Sequence, residues 1–440
     1  VRAGNQNILR TQPEFCAQRP FWKYLDDAGI RCLVFDAFMD SPLPGYAGAQ
    51  VREYGTWTWF GEPGSSPQGL LKALKSEVGS YPGPEHSKVV TVPDPEWFGK
   101  VLATAAERKG EAITWLLNSE SWQLAFVTIN EFHGAAHYLW HLFDQGYPTF
   151  ADSQYKNSLR DVFIAIDAAL GNIICGLDDN TDILIVSCDG MGPNYSGCHL
   201  MPELLHKLGL FHATSVGGGD DAVEASKSSG GLLSKIRFMI PLGVRQAITQ
   251  QMPRDLRYRL SMKWANSGID WARTKVFCIP NNNEAYFRVN LRGREPEGIV
   301  EPGAEADQLV ADLKVELQKM ENPETGRSAA RSVVRMDDAF CGPERPNLPD
   351  LVVTWNNKAE TTNQIKTPSV GIIRRENSFD FAPHYTGNHR PGAFVIVGGP
   401  SFSTSQPASG GNIVDVAPTV FDILGVDIPN HFEGRSWLQH

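Results

Sequence analysis

The stretch WQLAFVTINEFHGAAHYLWH, residues 122–141, decides how the chain reads. Its first half, WQLAFVTI (122–129), is an apolar run of strand length. Such a run fits a buried parallel strand better than an exposed antiparallel one. Its second half carries His133, His137 and His141, spaced four residues apart. Residues four apart lie on one face of a helix.

Working outward, the same alternation recurs. FWKYLDDAGI (21–30) reads as a short helix and runs into the strand RCLVFD (31–36). PEWFGKVLATAAERKGEAITWLL (95–117) and SQYKNSLRDVFIAIDAALGNIICGL (153–177) read as long helices. DILIVS (182–187) reads as another buried strand. The pattern predicts an α/β fold with a mostly parallel central sheet and helices on both faces. Residues 216–268 begin Gly/Ser/Asp-rich and continue as interrupted basic helices, which predicts a helical insertion. Further on, TKVFCIP, AYFRVN, LPDLVVTW and GAFVIVGGP read as strands. ADQLVADLKVELQKM (306–320) and IVDVAPTVFDILG (413–425) read as helices, and a smaller α+β subregion is expected around 280–365.

Composition narrows the function classes. The 440 residues carry a net charge of −10, which argues against an electrostatic grip on a nucleic-acid polymer. Seven cysteines are scattered without a CxxC, a usage that suits a reducing compartment and hence the cytoplasm. No apolar run is long enough to cross a bilayer, so no membrane partner is expected. The chain opens on Val, which leaves room for an upstream segment.

Ligands of an open α/β sheet bind at the carboxyl ends of its strands, and three strand ends here carry ligand-type residues. LAFVTI is followed by NEFHGAAH, and DILIVS by CDGMG (188–192). NSFDFAPHYTGNHRPG (377–392) leads into GAFVIVGGP. Imidazoles at i and i+4 converge on one point, and zinc takes three or four such ligands. An HxxxH spacing also arises as two half-buried, hydrogen-bonded histidines. CDGMG likewise reads as a strand-to-helix turn with a capping Asp189, and Arg292 and Arg294 in NLRGREP as a turn with Arg–carboxylate pairs. Arginine forks also match phosphate oxygens.

Together the three strand ends resemble the alkaline phosphatase superfamily, in its type I phosphodiesterase/nucleotide pyrophosphatase and predicted-phosphohydrolase branch. The resemblance runs from RPFWKYLDDAGIRCLVFDAF (19–38) to IVDVAPTVFDILGVDIPNHFEGRSW (413–437). It includes VNLRGREPEGIV (289–300) and, as the most specific block, GNHRPGAFVIVGGP (387–400). It implies a single alkaline-phosphatase-like catalytic domain over 1–440; the Gly/Ser-rich entry and basic helices of 216–268, in an otherwise acidic chain, predict that this insertion covers the strand-end site as a lid. The resemblance also implies a small-molecule phosphate ester substrate, a phosphodiester or a nucleotide pyrophosphate. The implied cofactor is a divalent metal, zinc, with up to two ions.

Residue by residue, the family motif is an acid, three residues, then His. His137 matches it, and His389 in GNHRPG matches the family's distant ligand. His133 departs from the motif, keeping a ligand but losing a negative charge. A set of His133, His137 and His389 is therefore expected at one ion, with His141 packed beside it. Cys188 and Asp189 stand where the family has Asp-His, serving a second ion. Successive residues leaving a strand point to opposite sides. A thiol is cheaper to bury unpaired than a carboxylate. Asp189 is thus expected to face the metals and Cys188 the core. Arg292 and Arg294 are candidates for holding substrate phosphate, while His384, Asp415 and His431 are taken as structural.

The family's nucleophile, a Thr or Ser, and its first metal-binding Asp lie upstream of the segment that starts here at Arg19. Residues 1–18 contain no matching strand, so the domain reads as N-terminally incomplete. Two rival readings remain. A sulfatase of the same superfamily would need a modifiable Cys or Ser in a Cys/Ser-x-Pro-x-Arg context, which no Cys has. The other rival is a catalytically inactive relative that keeps a metal.

Overall fold

A computed structural model of the chain describes residues 18–38, 42–55, 62–84, 94–150, 152–213, 269–281, 283–361, 363–374, 385–402 and 410–438. The insertion expected at 216–268 and His384 lie outside the described residues. The chain forms two compact units, one from Thr11–Gly192 and His389–His440, the other centred on Pro193–Asn388.

The first unit opens with α1 (Phe21–Asp27), β1 (Cys32–Phe35), β2 (Ala49–Arg52), β3 (Gly64–Ser66) and α2 (Leu70–Glu77). After these come α3 (Pro95–Ser119), β4 (Leu124–Val127), α4 (Glu131–Phe143), α5 (Ser158–Cys175), β5 (Ile183–Val186) and β6 (Gly190–Pro193). Strands β3-β2-β1-β4 lie side by side in that order. β1 runs parallel to β2 and β4, and β3 runs antiparallel to β2.

All four residues of β1 are fully buried, which is why the strand is apolar throughout rather than alternating. Leu33 and Phe35 share a cluster with Leu70 and Leu74 of α2 and with Ala112, Ile113 and Leu116 of α3. Cys32 and Val34 pack instead with Trp22 and Leu25 of α1. Each such large side chain contributes about 1.5–3 kcal/mol by leaving water. α3 starts where the sequence signals it. Asp94 accepts from the Trp97 N–H at 2.8 Å, and Pro95 takes the first helical position. Gly110 lets α5 close on α3, since a Cβ there would lie 2.8 Å from the Ala169 Cβ.

In the second unit come α6 (Met201–Lys207), β7 (Val276–Ile279), β8 (Ala285–Val289) and α7 (Ala304–Gln318). They are followed by β9 (Ala330–Arg335), α8 (Met336–Ala339), β10 (Leu351–Trp355), β11 (Gln364–Thr367) and β12 (Gly371–Arg374). Its main sheet has the order β7-β8-β10-β9 and is antiparallel at every pairing. Leu204 and Leu205 of α6 and Val310, Leu313 and Leu317 of α7 share one core with Phe277, Phe287 and Val353 of that sheet.

The last elements are β13 (Gly387–Arg390), β14 (Val395–Gly398) and α9 (Val416–Ile423). Val420 and Phe421 of α9 join the cluster of Cys32 and Val34. β14 pairs antiparallel with β5, from Val395 opposite Val186 to Gly398 opposite Ile183. This corrects two expectations. β4 and β5 are half-buried rather than buried. The fold is mixed α/β: β1 runs parallel to β2 and β4, while β2–β3, β5–β14, β11–β12 and every pairing of the β7-β8-β10-β9 sheet are antiparallel, so the sheets are small and mostly antiparallel rather than mostly parallel. Apolar alternation locates a strand, but the direction of the partner comes from a segment far along the chain.

Candidate metal centre

α4 follows directly on β4, with Asn130 at its N-cap and Glu131 as its first residue. An acid in the first turn complements the positive end of the helix. The face carrying Ala136, His137 and Leu139 is buried, which anchors the helix. His133 and His137 lie one turn apart, with ring centroids at 4.6 Å and Nε2 atoms at 2.8 Å. His137 is only 3% exposed.

His389, on β13, meets this pair. Its ring centroid is 4.8 Å from that of His133 and 5.0 Å from that of His137. One ligand-type nitrogen from each of the three residues lies within 4.8 Å of the others. Nitrogens sharing one ion at about 2.0–2.1 Å stand at most about 4.2 Å apart. In the tetrahedral arrangement of zinc they stand about 3.4 Å apart, so the trio reaches a single ion through side-chain movements of about 1–1.5 Å. Three neutral imidazoles form a donor set suited to zinc and its transition-metal neighbours. All three belong to the unit of Thr11–Gly192 and His389–His440.

β6 and β13 form a two-stranded ribbon, and the glycines of CDGMG make it possible. A Cβ on Gly190 would lie 2.9 Å from the Gly392 carbonyl oxygen, and one on Gly192 would lie 2.9 Å from the Arg390 Cγ. Asp189, one residue before β6, is thereby brought to His389, and its Oδ2 is 2.6 Å from Nδ1. Cys188 is exposed rather than turned into the core, a correction to the expectation. The chain leaves β5 into an open turn here, so neither residue sits under a packed layer. Desolvation and the Asp189 carboxylate push the Cys188 thiol up.

The other candidates sit elsewhere. His141 is not among the three converging histidines, and burial pushes its imidazole pKa down. Arg294 donates to both carboxylate oxygens of Asp350, each at 2.7 Å, and to the Val289 carbonyl. Arg292 pairs with Glu301 at 2.7 Å on the surface. Asp415 closes a capping box with Asn412 and accepts from the Arg435 N–H. His431 packs against Tyr24 and Phe432.

Sequence reasoning passed over one group. Lys109 is fully buried and reaches Asp36, Asn130 and Glu131. Its signal was present: helical spacing places Lys109 with Ala105, Ala106, Ala112 and Ile113, the buried face of α3.

A family model described as "Type I phosphodiesterase / nucleotide pyrophosphatase" matches residues 2–385. The matched span includes His133, His137 and Asp189 and ends just before His389. No curated protein and no solved structure matches the chain. No described helix is long and apolar enough to cross a membrane.

Proposed function

Since the chain belongs to the type I phosphodiesterase/nucleotide pyrophosphatase family, a family of phosphate ester hydrolases in keeping with the alkaline phosphatase superfamily, we propose that it hydrolyses a small phosphodiester or nucleotide pyrophosphate with a divalent ion, zinc, held by His133, His137 and His389. The observation that supports this most is the convergence of the three imidazoles from two distant segments. A divalent ion bound there supplies Lewis-acid chemistry, stabilising negative charge on a phosphoryl oxygen and lowering the pKa of a nucleophile.

The chain's own residues prepare that position. His133 and His137 present Nε2 atoms from successive turns of one buried helix, so their spacing is set by backbone hydrogen bonds. Asp189 stands beside His389, with Oδ2 2.6 Å from Nδ1, where its carboxylate favours the present placement of that ring. We assign Asp189 this orienting role at the three-histidine ion. Cys188 does not belong to the converging histidine set, and we leave it out of that site.

The test is zinc titration of the chain together with hydrolysis of bis-4-nitrophenyl phosphate. The reading requires stoichiometric zinc binding that is lost in His137→Ala and His389→Ala, and hydrolysis that depends on added zinc. Absence of zinc binding overturns the metal centre. Binding without hydrolysis of any phosphodiester or pyrophosphate makes the chain a non-catalytic, metal-binding relative.

A further inference from the structure

Lys109 occupies the middle of α3, and its side chain is entirely enclosed. An ammonium in such a place persists only if it is paired and hydrogen-bonded. Nζ lies 3.0 Å from Asp36 Oδ2 and 3.4 Å from Glu131 Oε1, and it donates to the Asn130 side-chain carbonyl. Burial works against the charge, but Glu131 and then Asp36 more than offset it and raise the Lys109 pKa.

Each partner stands at the end of an element. Asp36 directly follows β1 in a left-handed conformation, φ 56°, and its two carboxylate oxygens accept the Tyr54 and Gly55 N–H groups at 2.7 Å each. Asn130 is the N-cap of α4, yet its side chain makes no capping hydrogen bond and is engaged by Lys109 instead. Glu131 is the first residue of α4 and also accepts from the Tyr81 hydroxyl at 2.9 Å. Gly55 closes the cluster from the other side, since a Cβ there would meet the Lys109 Cε at 2.1 Å. A single ammonium thus ties the end of β1 to the first turn of α4, two residues before His133.

We propose that Lys109 is a positioning residue for the histidine centre: by holding Asn130 and Glu131 it fixes the first turn of α4, and with it the places where His133 and His137 meet His389. The proposal rests on the metal reading for its functional meaning, but its geometric part stands by itself. A bound ion holds its ligand distances within about 0.2 Å of ideal, so any shift of the backbone under a ligand has to be made up by side-chain strain. The His133 imidazole is carried by the very turn that Lys109 holds, so slack there is passed directly to its Nε2. A cluster that only stabilised the fold would leave zinc affinity untouched in any variant that still folds.

The experiment compares the full chain with Glu131→Gln and Lys109→Met. Glu131→Gln keeps the side-chain shape and leaves Lys109 paired with Asp36, so it provides a folded variant even if Lys109→Met does not fold. Zinc binding is measured by calorimetry, thermal melting is followed in parallel, and the crystal structure of Glu131→Gln is determined. The expected result is zinc binding weakened about 10–100-fold in Glu131→Gln, with the His133–His389 and His137–His389 ring separations opened beyond 4.8 and 5.0 Å. Wild-type affinity and wild-type separations, with only the melting temperature lowered, overturn the proposal. If the unmutated chain binds no zinc, the metal reading falls separately. The ring separations in the Glu131→Gln crystal then decide the positioning claim, which unchanged separations overturn and opened ones support.

Discussion

The Nε2 atoms of His133 and His137 lie 2.8 Å apart on successive turns of one helix. At that distance one ring carries the Nε2 proton and the other offers a lone pair. Ligation through both Nε2 atoms needs that proton moved to Nδ1 of the same ring, with no net release, and it is lost when acid protonates the imidazoles, so zinc binding is expected to weaken as pH falls. Calorimetric zinc titrations at about pH 7.5 and about pH 5 check this, and equal affinity at the two would contradict ligation by this pair.

Ligand identity can be separated from ligand number at position 133. The family motif has an acid where this chain has His133. His133→Asp is therefore expected to keep one zinc bound, with affinity within about tenfold of the parent. His137→Ala removes a buried ligand and should weaken zinc binding more than the 10–100-fold typical of losing an outer partner. Equal losses in the two variants would mean that an aspartate cannot serve at position 133.

With Asp189 in the orienting role proposed above, Asp189→Asn is expected to weaken zinc binding about 10–100-fold without changing its stoichiometry. Cys188→Ser should leave both affinity and stoichiometry unchanged. Metal content by atomic absorption discriminates the alternative. A fall from two bound ions to one in Asp189→Asn would make Asp189 a ligand of a second ion.

Asp350 in the second unit offers a pH-dependent prediction. Burial opposes its ionisation, but hydrogen bonds and charge from Arg294, the Val289 N–H and the charge of Arg345 hold its carboxyl below the usual aspartate value. A folded pKa below the unfolded one gives stability that is complete above about pH 4 and lost as pH falls through the folded value. Asp350→Asn should cost about 1–3 kcal/mol at pH 7, since it removes charge-assisted hydrogen bonds from Arg294, which keeps Glu295, and from Arg345, which keeps Asp337. Urea unfolding at pH 7 and pH 3 checks this, and the gap between parent and variant should shrink at the lower pH.

The contact between α3 and α5 is tight at Gly110. Adding a methyl there brings a Cβ to 2.8 Å from the Ala169 Cβ. Gly110→Ala should therefore destabilise the fold by about 1–3 kcal/mol, despite alanine's better helix propensity. The paired variant Gly110→Ala with Ala169→Gly should recover most of that loss in thermal melting.

Short-range chemistry was legible in the chain itself. The i, i+4 spacing put His133 and His137 together, because a helix places such residues on one face whatever surrounds it. The apolar runs of β1, β4 and β5 and the Asp94-Pro95 start of α3 were readable for the same local reason. Only the tertiary structure decided the rest. It brought His389 to the pair through the β6–β13 ribbon, which depends on two glycines admitting a close backbone approach. It made β5 antiparallel to β14 and left Cys188 exposed. It also enclosed Lys109 with Asp36 and Glu131, a charge cluster whose members come from three separate elements. Periodicity tells which face of a segment avoids water, but it does not tell which distant strand supplies the hydrogen bonds or which distant charge supplies the counter-ion. Those depend on how the segments pack, and packing is a property of the whole chain.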